Sequence, residues 1–345
     1  MIHRAGRLAL ACAVFGLGLA FWTAGCTKQP AAGTGTLTIA VIPKGTTHEY
    51  WQSVHAGAAK AAKELGIHII WKGPLKEDDR EQQIAVVENF ITQQVAGIVL
   101  APLDETALVR PVQEARDAHI PTVIIDSNLK GHGFISFVAT DNHKGGMLGG
   151  QELIRLLGDK GGKVVMLRYE EGSASTMYRE QGFLDAIAAY NAKAPAGAKI
   201  EVVSSNQYGG ATASSAQDAS ERMLSTLKGP GGRLTIDGIF CPNESTTFGM
   251  LRTLQTNGWA GKVKFVGFDS SEPLVAGLKD GQIDALVVQN PVNMGYLGVK
   301  TLVDHLRGQT VPTHIDTGVG LITRANMNDP AQHKLLHPDL SKWLD

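Results

Sequence analysis

The segment from Thr46 to Ala58, TTHEYWQSVHAGA, brings two histidines, a glutamate and two large aromatics close together. Imidazoles beside a carboxylate could hold zinc, but a zinc peptidase helix needs its histidines four apart, with the base glutamate next to the first. His48 and His55 are seven apart and no third ligand follows. No metal is expected, and His55 reads as a structural or surface residue. Tyr50 and Trp51 are the more informative pair, because flat rings at the start of a helix can stack on a ligand.

Other chemistries lack their residues. The loop after the first apolar run is PKGTTHEYW, with no G-x-G-x-x-G, and no G-x-x-x-x-G-K-[ST] occurs, so a nucleotide phosphate cradle is not expected. There is no G-x-S-x-G elbow, and Cys241 stands in a CPNES loop with no activating partner, which makes it buried filler. No nucleophile, base and orienting group can be assembled, so the expectation is no enzyme and no cofactor.

The remaining candidates lie just beyond apolar runs: Asp126 and Asn128 in the first half, Tyr208, Asn243, Asp269, Gln289 and Asn290 in the second. Aromatic faces with carboxylate and amide groups suit a sugar, whose C–H faces stack while each hydroxyl both donates and accepts.

The elements that must position these residues are legible as an alternation. Short β-rich runs (LTIAVIP, IHIIW, AGIVLAP, IPTVIID, then GKVVMLR, KIEVVSS, DGIFCP, VKFVGFD, DALVVQ) are separated by amphipathic stretches such as EYWQSVHAGAAKAAKELG and REQQIAVVENFITQQVAG. This predicts parallel sheets covered by helices on both faces. Two stretches follow one script, AGIVLAPLDETALVRPVQEARDAHIPTVIIDSN and DGIFCPNESTTFGMLRTLQTNGWAGKVKFVGFDSS. Asp126 falls 29 residues after Gly97 and Asp269 falls 31 after Gly238. The chain therefore reads as two copies of a doubly wound unit. Ligands of such sheets bind beyond the carboxyl ends of the strands, where both aspartates fall. A turn or helix-cap role for either aspartate alone is the bland alternative.

Composition sets the outer limits. The 345 residues are 43% hydrophobic, enough for a sizeable core. The formal net charge of -1 gives no basic footprint for nucleic acid. The N-terminus departs from the rest: Arg4 and Arg7, an apolar run from Leu8 to Trp22, then Ala24-Gly25-Cys26. That order fits a secretory signal over 1–25, and Ala24-Gly25-Cys26 resembles the lipobox in which Cys26 is diacylated. Thr23 stands where that motif usually has Leu. Residues 26–36, small and polar, suit a flexible tether. The protein is expected outside the cytoplasm, in the periplasm or on the outer face of the bacterial membrane, touching the bilayer through the Cys26 anchor only.

From about Leu37 to Ile322 the chain resembles the periplasmic sugar-binding proteins of the ribose and galactose type, the receptors of ABC importers. The matching pieces are EYWQSVHAGAAKAAKELG, GIVLAPLDETAL, IPTVIIDSN, VATDNHKGGMLGG, REQGF, FCPNESTTFGMLRTLQTNG, VKFVGFDSS and VVQNPVNMGYLGVKTL. The resemblance implies the type 1 periplasmic binding protein fold, two similar α/β lobes of doubly wound parallel sheet joined by a hinge. It places the lobes at 37–140 plus 290–315 and at 141–289 plus 316–345. It implies a monomer that closes on a small sugar or polyol and presents itself to permease subunits; a sensor that hands its ligand-bound state to a chemoreceptor or histidine kinase would use the same closure.

The resemblance also assigns residues. Tyr50 and Trp51 take the place of two stacking aromatics, and Asp126, Asn243, Asp269 and Gln289 take polar contact positions. Tyr208 is matched to an aromatic of the second lobe. His48 stands where the ribose group has Asn, Ser127 where it has the Arg after the first-lobe aspartate, and Met177 where it has a second Arg, two residues before Arg179. Two missing guanidinium groups would remove planar recognition of hydroxyl pairs. His48 is left with two readings, a neutral imidazole contacting the ligand or an exposed loop residue.

Overall fold

The computed structural model describes residues 36–344. The expected signal, Cys26 and nearly all of the expected tether lie outside the described residues.

The first half runs β1 (Thr38–Ile42), α1 (Glu49–Leu65), β2 (His68–Trp71), α2 (Arg80–Thr92), β3 (Gly97–Leu100), α3 (Val109–Asp117), β4 (Thr122–Ile125) and β5 (Ser136–Ala139). The second runs α4 (Asn142–Leu157), β6 (Gly162–Arg168), α5 (Ala174–Asn191), β7 (Ile200–Tyr208), α6 (Ala213–Ser225), β8 (Gly238–Phe240), α7 (Glu244–Thr256), β9 (Lys264–Phe268), α8 (Glu272–Lys279) and β10 (Ala285–Gln289). Then come α9 (Pro291–Leu306), β11 (His314–Asp316), β12 (Val319–Thr323) and α10 (Pro330–Leu336).

Two six-stranded sheets result, ordered β11-β5-β4-β3-β1-β2 and β12-β10-β9-β8-β6-β7. Every pair is parallel except β10 with β12. The nine apolar runs read from the sequence are all strands. The three extra strands, β5, β11 and β12, are short. β11 and β12 are edge strands only partly buried, so they carry no continuous apolar run. The two sheets repeat one strand order, and in each the chain leaves the first strand for one side and returns on the other. That reversal opens a crevice at the carboxyl ends between β1 and β3, and again between β6 and β8.

The central strands are covered on both faces. Ile39, Val41 and Val99 join one cluster with Trp51, Val54 and Leu302, while Ala40, Ile42 and Leu100 join another with Val87 and Phe90. The second sheet divides its strands in the same way. Helices approach closely where glycine allows it. A Cβ at Gly146 of α4 would fall on the carbonyl oxygen of Arg179 in α5, and one at Gly57 of α1 would fall on that of Val292 in α9. Cys241 is fully buried, in keeping with filler.

Candidate functional site

The loops after the strands of both sheets meet in one cleft. Its cavity holds about 320 Å³ of empty space including the open mouth. Among its lining are the expected His48, Tyr50, Trp51, Asp126, Asn243, Asp269 and Gln289.

Asp126 follows β4 and Asp269 follows β9, and both adopt a left-handed backbone, φ 64° and 66°. Neither is a helix cap, since Ser271 precedes α8. Left-handed non-glycine residues are uncommon and concentrate where a side chain must be aimed. The two carboxylates are linked through the cleft. The Tyr50 hydroxyl donates to Asp126 Oδ1 at 3.0 Å and lies 3.5 Å from Gln289 Oε1, and Gln289 Nε2 donates to Asp269 Oδ1 at 2.6 Å. Burial and then Asp126 push the Tyr50 phenol well above its ordinary value, so it stays a donor. Asn243 is occupied in part as the N-cap of α7, accepting from the Thr246 backbone.

Each aspartate has a buried cation. Lys44, 3% exposed, sits beyond β1 with Nζ 2.8 Å from Asp126 Oδ2, and it donates to Ser127 Oγ at 2.6 Å and, across the cleft, to Ser175 Oγ at 3.1 Å. Arg179 Nη1 lies 3.7 Å from Asp269 Oδ2, its Nε donates to Asn142, and its guanidinium lies 4.0 Å from the Phe268 ring centre. Arg179 Nη2 is buried with no hydrogen-bond partner, while Asp126 Oδ2 is buried against the Lys44 ammonium. Both residues line the cavity, and the unmet Nη2 leaves a donor for a ligand. Burial raises the Asp269 carboxyl, against Arg179 and the Gln289 hydrogen bond.

His48 lines the cavity rather than standing exposed in its loop, but not as a neutral ring. It is half-buried and its Nδ1 lies 2.6 Å from Glu77 Oε1. Burial alone would lower its pKa, but the charge and hydrogen bond of Glu77, with Glu244 and Asp269 beyond, raise it to about 9. The imidazole is a cation at neutral pH, which corrects the neutral reading. Glu49, the first residue of α1, reaches across the cleft. Its Oε2 accepts from the Glu272 backbone at the start of α8, while Glu244 at the start of α7 accepts from the Tyr50 backbone. Facing helix N-termini thus exchange carboxylates across the cleft.

Four expected contacts lie outside this lining, among them Asn290, whose side chain caps α9 by accepting from the Asn293 backbone. Tyr208 is 39% exposed at the end of edge strand β7, with Arg168 against its ring. Met177 is one helical residue past the lining Ser175 and Thr176, and only partly buried. Asn128 turns its carbonyl oxygen back onto the Leu129 backbone.

In their place stand residues that the sequence reading did not select: Lys44, Glu77, Tyr169, Ser175, Thr176, Arg179 and Glu244. Tyr169 directly follows β6 and Lys44 lies two residues past β1, so both could have been found by the strand-end rule. Glu77 gave no signal, since KEDDR reads as a solvated charge run. Two cations do line the cleft: the Lys44 ammonium donates to Ser127, and Arg179 lies two residues past Met177.

No group of three or more His, Cys, Asp or Glu residues suited to a metal occurs among the described residues. The cleft can grip a small, neutral, hydroxyl-rich molecule: charges are paired, rings border the space, and donors and acceptors alternate.

Known proteins resemble this chain in sequence and in fold. A family model described as a periplasmic binding protein domain matches residues 39–310. The D-ribose/D-allose-binding protein of Pseudomonas aeruginosa is 30% identical, covering 83% of this chain and 88% of that relative. The ribose import binding protein of Escherichia coli is 26% identical, covering 83% and 90%. A carbohydrate transporter solute-binding protein from Agrobacterium radiobacter, solved with D-arabinose, superposes with a TM-score of 0.81 at 34% identity, over 88% of this chain and 100% of that one. One from Agrobacterium vitis, solved with D-fucose, gives 0.80 at 35% identity, over 87% and 100%.

Proposed function

The chain belongs to the periplasmic binding protein family, and from that premise we propose that it captures a monosaccharide or small polyol in the cleft and delivers it to the permease subunits of an ABC importer. It binds and releases without chemical change. The observation that carries this reading is the matched pair Asp126 and Asp269, aimed into one cavity from equivalent strand ends. Hydrogen bonds to charged groups contribute about 1.5–3 kcal/mol each.

The lobes are taken as 37–140 plus 290–315 and 141–289 plus 316–345, hinged where the chain crosses between the sheets. Contacts such as Lys44 to Ser175 exist only with the cleft shut, so closure and capture are coupled. The protein works as a monomer, tethered through an acylated Cys26. Import is preferred to sensing because the relatives include a ribose import binding protein and a carbohydrate transporter component.

Thermal melting with D-ribose, D-allose, D-arabinose, D-fucose, D-tagatose and a set of polyols tests the ligand class. A binder at a hundredfold excess over its Kd adds about 2.7 kcal/mol of apparent stability. A flat response over the whole panel would overturn the sugar reading. Radiolabelled palmitate reaching the wild-type chain but not Cys26→Ala tests the anchor.

A further inference from the structure

We propose that Glu77 is the positioning residue of the binding site: one carboxylate fixes the Trp51 indole and the charged His48 ring for the ligand and, through Tyr169, also fastens the closed cleft. This rests on the sugar-capturing reading above.

Glu77 belongs to the loop between β2 and α2, within the run Lys76-Glu77-Asp78-Asp79-Arg80. Its four neighbours in that run are exposed, while Glu77 is 8% exposed. The side chain enters beside Gly45, where an added Cβ would stand 2.8 Å from Glu77 Cγ, so glycine makes room for it. Once inside, it accepts three bonds: Trp51 Nε1 at 2.6 Å and His48 Nδ1 at 2.6 Å on Oε1, and the Tyr169 hydroxyl at 2.8 Å on Oε2.

Trp51 Nε1 and the His48 ring both donate to Oε1, and the Tyr169 hydroxyl donates to Oε2. An ionised carboxylate accepts from all three and answers the imidazolium's charge; an amide would have to turn its NH2 onto the Tyr169 oxygen and would bring no charge. Burial opposes ionisation of the carboxyl, but His48, Lys44 and the Trp51 hydrogen bond bring its pKa down to about 2.

The partners give the arrangement its functional content. Trp51 and His48 come from the start of α1 and line the cavity; Tyr169 comes from the end of β6, across the cleft. A buried acid serving only the fold of one half would have no need of the third bond. With Nδ1 on Glu77, His48 keeps Nε2–H as a charged donor toward a ligand oxygen, stronger than a neutral one. The groups facing His48 are Glu77 from its loop, Glu244 from α7 and Asp269 after β9. Of these three, Glu77 is the one that hydrogen-bonds the ring.

The test compares Glu77→Gln and Tyr169→Phe with the wild-type full chain by calorimetry against D-ribose, D-allose and D-arabinose, together with NMR titration of the His48 ring. Glu77→Gln should weaken binding about 10- to 100-fold and lower the His48 pKa by about 1–3 units. Tyr169→Phe should weaken binding several-fold through faster release while leaving the His48 titration in place. Affinity within twofold of wild type in Glu77→Gln, or lost affinity with an unmoved His48 titration, would overturn the positioning role. Should the wild-type chain bind nothing in the sugar and polyol panel above, the sugar reading fails on its own, and the His48 titration still decides whether Glu77 sets that ring's charge.

Discussion

Asp126 and Asp269 leave the carboxyl ends of β4 and β9 with the same left-handed backbone, φ 64° and 66°, and each meets a buried cation, Lys44 and Arg179 respectively. The duplicated unit has kept the aim of its carboxylate in both copies and supplied the counter-charge differently. Lys44 comes from the first strand's loop in one half, Arg179 from a helix in the other.

The backbone conformation separates binding from stability at Asp269. Asp269→Gly and Asp269→Ala should both lower affinity at least tenfold, from the loss of a charged partner. Glycine tolerates positive φ, whereas alanine is disfavoured there by about 1–2 kcal/mol. Urea unfolding should therefore find the alanine variant less stable than the glycine variant by about 1 kcal/mol. Equal stability would mean that the left-handed strain is relieved locally.

The Lys44–Asp126 pair should behave as a unit. Both partners are buried, so Lys44→Met or Asp126→Asn alone leaves a buried charge uncompensated, at a cost of about 3–5 kcal/mol. The double variant removes both charges and should recover much of that loss in chemical denaturation. Additive single effects would show that the two groups act independently.

Glu244 makes closure pH-dependent. Burial raises its carboxyl to about 7, opposed by His48 and the Tyr50 backbone hydrogen bond. In an open cleft the carboxyl returns toward its ordinary value of 4.5. A raised pKa favours the closed form fully below pH 4.5, and the advantage is lost as pH rises through 7. His48 adds little to this slope, because Glu77, the main cause of its raised pKa, lies in the same half and stays beside it when the cleft opens. Calorimetry from pH 5 to 8 should show affinity falling on the order of tenfold as pH rises, and Glu244→Gln should flatten that slope. Affinity that rises with pH in the wild type would contradict the burial of Glu244.

Gly146→Ala probes how packing reaches the site. Its Cβ would fall on the Arg179 carbonyl oxygen, forcing α4 and α5 apart. Overpacking of this kind costs about 1–3 kcal/mol, and Arg179 would move with its helix. Thermal melting should show the lost stability, and calorimetry a weaker ligand. An unchanged melt would mean the helices slide at no cost.

Tyr50 and Trp51 illustrate how far the sequence could be read. Their place at the cavity followed from a strand-end loop and a helix start. Their working arrangement did not: the rings meet edge to face at 86°, with the Tyr50 hydroxyl on Asp126 and the Trp51 nitrogen on Glu77. Hydrogen bonds spanning 76 and 26 residues leave no trace in local periodicity. Tyr208, a match of residue type alone, ended at an exposed edge for the same reason.

The chain's local order determined the two doubly wound units and the strand ends bearing Asp126 and Asp269, because hydrophobic period and loop position are properties of neighbouring residues. Tertiary structure alone decided which charges meet. Lys44, Glu77 and Arg179 resemble any solvated lysine, glutamate or arginine in the sequence. They became the polar wall of the cleft only when both sheets buried them together, since withdrawal from water compels each charge to find a partner.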